Sequence, residues 1–240
     1  PSERGFFCPL VQANRYMLQT ALDLDGESVL HAILHMKNDP GMIALELADQ
    51  LSSALGRSRS EIQEALEAGI EANDAFAGEL ERIGTDRLEA HDPSEPLVIV
   101  TGRPYNLYDE RLNLRLGRNL AKIGVEALPM DFVGVDEVDL SDFPSMYWGL
   151  GARILRTAKF VRQHPGAFGL HITNFSCGAD SFVEHFFKYI MGDKPYLILE
   201  LDEHSAVAGA TTRLEAFRNV IRNAVEELNR SLEGDRKMSN

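Results

Sequence analysis

The sequence changes periodicity at Asp92-Pro93-Ser94-Glu95-Pro96, and that change limits the folds open to the chain. After Pro96, short apolar runs alternate with amphipathic helical stretches. Leu97–Val100 is continuously apolar, as expected for a strand buried on both faces. A polar turn from Thr101 to Asn106 follows, with a helix predicted over Glu110–Ile123. Further strands are predicted at Val125–Phe132, Phe168–Phe175 and Pro195–Leu201, with Pro129 weakening the end of the first of these. Helices are predicted at Met146–Gln163, Asp180–Met191 and Ala210–Leu232. Strands that each lead into a helix return to the sheet by crossovers, so they lie parallel with helices on both faces.

Before Asp92 the spacing is helical. Apolar positions recur at helical intervals over Val11–Leu24, Ser28–Met36 and Met42–Leu55. Asp39-Pro40-Gly41 breaks the pattern, and Ser58 with Glu61 forms a capping box that opens a long helix ending near Ala90. The predicted class is therefore α/β: a flavodoxin-like four-stranded parallel sheet preceded by a largely helical segment. Residues 1–92 read as part of an incomplete α/β domain, 96–232 as the flavodoxin-like domain and 233–240 as a disordered tail. Pro1 in place of an initiating Met points to a processed or excised chain.

Charge narrows the function classes. Residues 1–92 hold 17 acidic and 7 basic side chains, whereas residues 93–240 hold 20 and 17. Such acidity argues against nucleic-acid binding, which needs a basic surface to neutralise phosphates. No apolar stretch approaches the roughly 20 residues of a membrane span, and no signal segment is present. Two cysteines are too few for a disulfide framework, so a cytoplasmic, reducing location is expected.

Both cysteines stand where helices begin, Cys8 before Pro9 and Cys177 before Gly178. A helix N-terminus presents free N–H groups and a partial positive charge, which favours a thiolate. Each cysteine is a candidate cluster ligand or a small buried residue; Cys177 could also be a nucleophile served by His171 or His204. Two thiolates cannot complete a four-ligand cluster. In an open α/β sheet, ligands bind beyond the carboxyl ends of the strands. That places Thr101–Asn106, Asn174–Asp180 and Glu200–Ser205 together, with Arg103 and Tyr105 as anion contacts. Alternatively, Arg103 pairs with an acidic neighbour. The Glu200–His204 segment binds a cation or caps the next helix, and His31 with His35 lies on one face of an amphipathic helix or shares a metal. No G-x-G-x-x-G or Walker motif supports a nucleotide site.

Taken together, Phe7-Cys8-Pro9-Leu10-Val11-Gln12, Gly102–Asn106, Asn174–Phe182 and Glu200–His204 resemble the 2-hydroxyacyl-CoA dehydratases and double-cubane-cluster proteins, in the form found in CoA-substrate-specific enzyme activase-related proteins. The resemblance spans roughly residues 5–220. It implies an iron–sulfur cluster held by cysteine thiolates, with Cys8 and Cys177 as metal ligands, and low-potential electrons delivered by an ATP-hydrolysing activator domain or subunit. Arg103, Tyr105, Asn106 and His204 are candidates for contacting the cofactor or the substrate. A small-molecule or acyl-CoA substrate and a homo-oligomer are further expectations, and another family cysteine is expected upstream of Pro1. Ala179 departs from the proline of a Cys-Gly-Pro-Asp turn. The competing reading is a regulatory or docking module of the activase, without a working cluster.

Overall fold

The computed structural model describes residues 9–26, 29–35, 38–175 and 177–238. They divide into two compact units, residues 1–79 with 147–149, and residues 80–146 with 150–240.

In the first unit the regular elements among the described residues are helices. Helix α1 spans Pro9–Ala21, α2 spans Pro40–Leu55, and α3 spans Arg59–Ala90, its residues from Leu80 onward belonging to the second unit. Asp39 starts α2, its carboxylate accepting from the backbone N–H groups of Gly41 and Met42. Gly56, at φ 63°, ends it in the left-handed conformation that glycine adopts without penalty. The expected capping box is present: Glu61 accepts from the Ser58 N–H at 2.8 Å, and the Ser58 hydroxyl accepts from the Glu61 N–H at 3.3 Å.

Residues 29–35 correct the sequence reading, because they are not helical. Side chains of α2 hold this segment instead. Gln50 accepts from the Ile33 N–H and donates to its carbonyl, each at 2.8 Å, while Glu46 accepts from the His35 N–H at 2.9 Å. These bonds satisfy the backbone groups that a helix would otherwise pair internally. His31 and His35 therefore do not share a helical face. His31 Nδ1 faces Arg15 at 2.8 Å and His35 Nδ1 faces Glu46 at 2.9 Å.

The second unit contains the sheet. Strands β1 (Leu97–Gly102), β2 (Glu126–Pro129), β3 (Ala167–Asn174) and β4 (Tyr196–Leu201) are all parallel, in the order β2-β1-β3-β4. Alternate residues of β1 serve opposite faces. Val98 and Val100 pack with Leu120 and with Leu214, Phe217 and Ile221 of α8 (Val207–Met238). Leu97 and Ile99 pack with Ile154 and Leu155 of α6 (Gly149–Gln163) and with Val183 and Phe187 of α7 (Gly178–Met191). Both faces are thus covered, which explains the uninterrupted apolar run. Gly84 of α3 lies so close to the Met130–Phe132 turn that a Cβ there would meet the Phe132 carbonyl oxygen at 1.6 Å.

Three segments differ most from the sequence reading. β2 stops at Pro129 and a 3-10 turn replaces its predicted end. Within the helix predicted over Glu110–Ile123 only α5 (Leu116–Lys122) forms, and a further short helix, α4 (Pro104–Tyr108), lies before that range and begins inside the predicted polar turn. Between them Leu114 and Arg115 adopt φ of 53° and 58°, and buried Asn113 and Asn119 donate to the carbonyls of Leu107 and Leu114. Finally, α8 runs to Met238, beyond the predicted end at Leu232.

Candidate functional site

β1 leads to β2 on one side of the sheet, and β3 lies on the other side of β1. The switch point therefore falls between the carboxyl ends of β1 and β3, where an open α/β sheet forms its ligand crevice. Gly102 closes β1 opposite Ile172, and a Cβ there would come within 2.6 Å of the Ile172 carbonyl oxygen. Arg103 follows immediately as the residue flanking the N-terminus of α4. On the neighbouring strand, Asn174 leads through a tight turn, in which the Cys177 N–H donates to the Asn174 carbonyl at 3.1 Å. Cys177 is the N-cap residue of α7, and Asp180 lies in that helix's first turn.

The ordered centre of this edge is a buried ion pair. Asp180 is 1% exposed. One of its carboxylate oxygens accepts from Arg103 Nε at 2.8 Å and lies 2.7 Å from Nη2; the other accepts from the Thr173 hydroxyl at 2.9 Å. Asp180 thus ties together the first loop, the third strand and the seventh helix. Burial opposes the Arg103 charge, but the adjoining carboxylate outweighs it and holds the guanidinium above its ordinary range. This is the acidic neighbour that the sequence left open for Arg103, and the Asp180 carboxylate serves that pair and Thr173 while Cys177 occupies the N-cap position.

Below the pair, His171 is fully buried, its Nδ1 3.0 Å from the Thr101 hydroxyl and its ring 5.4 Å from that of Phe187. Burial depresses its pKa, so the imidazole is neutral. Its Nε2 has no hydrogen-bond partner among the described residues, and neither does either polar atom of the fully buried Asn106 carboxamide. Cys177 is half-buried. Burial pushes its thiol up and the Asp180 charge adds to this, against the opposing influence of the Asp180 backbone N–H and Arg103. The thiolate expected from the helix N-terminus is therefore not favoured: desolvation outweighs the helix end, and Arg103 is already neutralised by Asp180.

The remaining sequence candidates lie as follows. Tyr105 is about half exposed on α4. His204 is largely exposed in the turn after β4, 3.7 Å from Glu203. That turn is built by Asp202, which accepts from the His204 N–H and the Ser205 hydroxyl, so the segment shapes the approach to α8. Cys8 lies outside the described residues. Thr173 belongs to the same network as Arg103, while Thr101 and His171 bond to each other beneath it. Their only sequence signal is position, since each lies near the carboxyl end of a strand adjacent to the switch point.

An iron–sulfur cluster needs several thiolate or equivalent donors converging on one place. Among the described residues Cys177 is the one free cysteine, and no group of three or more His, Cys, Asp or Glu side chains is placed to hold a metal ion. These residues do not by themselves make a cluster site, which takes about four ligands. No helix among them is long and apolar enough to cross a membrane.

Comparison with curated proteins and with solved structures finds no match. Comparison with known families does: residues 1–133 match the family described as "CoA enzyme activase uncharacterised domain (DUF2229)". That match covers more than half of the 240 residues, and the chain belongs to this CoA enzyme activase-related domain family.

Proposed function

We propose that the chain is a dehydratase-like or reductase-like component of a CoA-enzyme activase system, facing a partner at the carboxyl edge of β1 and β3. The observation that carries this reading is the position of Cys177: an N-cap cysteine beside the topological switch point of a parallel sheet, backed by an ordered Arg103–Asp180 pair. In this reading Cys177 supplies one thiolate of an iron–sulfur cluster, Cys8 supplies another, and the remaining ligands come from outside the described residues. Low-potential electrons arrive from an ATP-hydrolysing activator domain or subunit, and the acceptor is an acyl-CoA or other small molecule. Arg103, Tyr105, Asn106 and His204 are the residues proposed to contact that acceptor or the cofactor.

A second reading is favoured by the same edge. The Cys177 thiol is held protonated and Arg103 is already paired, which suits a docking or regulatory module attached to the activase, without a working cluster. Anaerobic iron–sulfur reconstitution of the full polypeptide separates the two readings. The first expects iron bound with broad visible absorption, both lost in Cys8→Ser and in Cys177→Ser. A colourless wild-type polypeptide that still binds its ATP-hydrolysing partner would establish the second.

A further inference from the structure

The first unit carries a surface unrelated to the sheet edge. From Ser60 to Glu79 helix α3 holds six acidic residues and no Lys or Arg. Glu64, Glu67, Glu71 and Asp74 recur at intervals of three and four, so they form one stripe, and all four are exposed. Beside this stripe lies an open cleft of about 550 Å³ lined by Pro40, Glu67, Ile70, Glu71, Asp74 and Ala75. Its lining combines apolar Pro40, Ile70 and Ala75 with the three carboxylates of Glu67, Glu71 and Asp74. A lining that joins apolar side chains to charges of one sign selects its occupant by charge as well as by shape. Nucleic acid and anionic lipid would be repelled, whereas Lys or Arg flanking an apolar side chain would satisfy both parts.

We propose that this cleft is a docking site for a basic amphipathic helix of a protein partner, inserting apolar side chains over Ile70 and Ala75 while its cations meet Glu67, Glu71 and Asp74. The inference does not depend on a cluster at the sheet edge. It is tested with the full chain and a fluorescent Leu/Lys amphipathic peptide of about 18 residues, roughly five helical turns. Two control peptides accompany it, a Leu/Glu counterpart and a scrambled Leu/Lys sequence of equal charge.

The Leu/Lys peptide should bind saturably and more weakly as salt rises. Glu67→Lys/Glu71→Lys/Asp74→Lys should weaken it about tenfold or more, since three charge contacts are reversed. The three positions are exposed, so the variant should keep the wild-type circular dichroism, and it should bind the Leu/Glu peptide that the wild type rejects. This charge-swap rescue shows that the reversed variant is folded and that these three charges do the selecting. Equal binding of the scrambled peptide would overturn the proposal, reducing the effect to unspecific attraction. So would self-association of the wild-type chain that the triple variant abolishes, because the occupant would then be a second copy.

Discussion

Replacing Asp180 by alanine isolates what holds the carboxyl edge together. In the folded chain the Asp180 carboxylate is 1% exposed and Arg103 beside it is 11% exposed. Removing the carboxylate strands a desolvated guanidinium and takes the acceptor from the buried Thr173 hydroxyl. Breaking one side of a buried pair costs about 3–5 kcal/mol, and an orphaned hydroxyl adds about 1–3 kcal/mol unless it finds another acceptor. Part of this is recovered as Arg103 swings toward water, so the expected loss for Asp180→Ala is about 4 kcal/mol. Asp180→Asn keeps the shape and a bond to Thr173 and should lose about half as much. The assay is urea unfolding followed by far-ultraviolet circular dichroism, with Arg103→Met and the Arg103→Met/Asp180→Ala double variant completing a cycle. The double variant should be more stable than the sum of the single losses allows, by about 2 kcal/mol, because its second substitution removes the charge stranded by the first. The loss should persist at high salt, as a buried pair is poorly screened. A loss below about 1 kcal/mol for Asp180→Ala, or strict additivity in the cycle, would refute the reasoning.

Glycines within α3 should respond oppositely. Gly84→Ala places a methyl against the Phe132 carbonyl and should cost about 3 kcal/mol or prevent folding, whereas Gly78→Ala meets open space and should gain about 0.5–1 kcal/mol in thermal or urea unfolding. His171 is held neutral by burial, so between its unfolded value near 6.5 and its lower folded value the unfolded chain binds the extra proton. Stability should therefore fall as pH drops below about 6.5, by up to roughly 1.4 kcal/mol per unit, and His171→Gln should remove that component; a fall unchanged in the variant would assign it elsewhere. Alkylation of Cys177 by iodoacetamide, read by peptide mass mapping, should have its pH midpoint above that of a free cysteine; a midpoint below about 8 would show an activated thiolate instead.

Much of the second unit was legible in the amino-acid order. Buried parallel strands need apolar side chains on both faces, so Leu97–Val100 identifies itself, and Pro129 marks where β2 leaves the ladder. The capping box of Ser58 with Glu61 was legible because it acts within one turn of its own backbone, whereas Asp39, read only as part of a break, caps α2. The segment 29–35 was not legible, because its hydrogen bonds come from Glu46 and Gln50, and no periodicity within the segment encodes a partner on another helix. The turns that replace the first part of the helix predicted over Glu110–Ile123 were hidden likewise, since Asn113 and Asn119 hold them by bonding carbonyls that a continuous helix would pair internally.

At the candidate site the sequence by itself determined the chemical types and their places at strand ends: Cys177 at a helix start, Arg103 after the first strand and Asp180 after the third. Only the tertiary structure decided their states. The β2-β1-β3-β4 order makes β1 and β3 neighbours, and that adjacency joins residues 77 positions apart into the Arg103–Asp180 pair. Once the pair is buried, its two charges cancel and desolvation controls the thiol beside it, raising a pKa that the helix end alone would lower. Burial and strand order belong to the folded chain as a whole, and for that reason no local run of residues carries them.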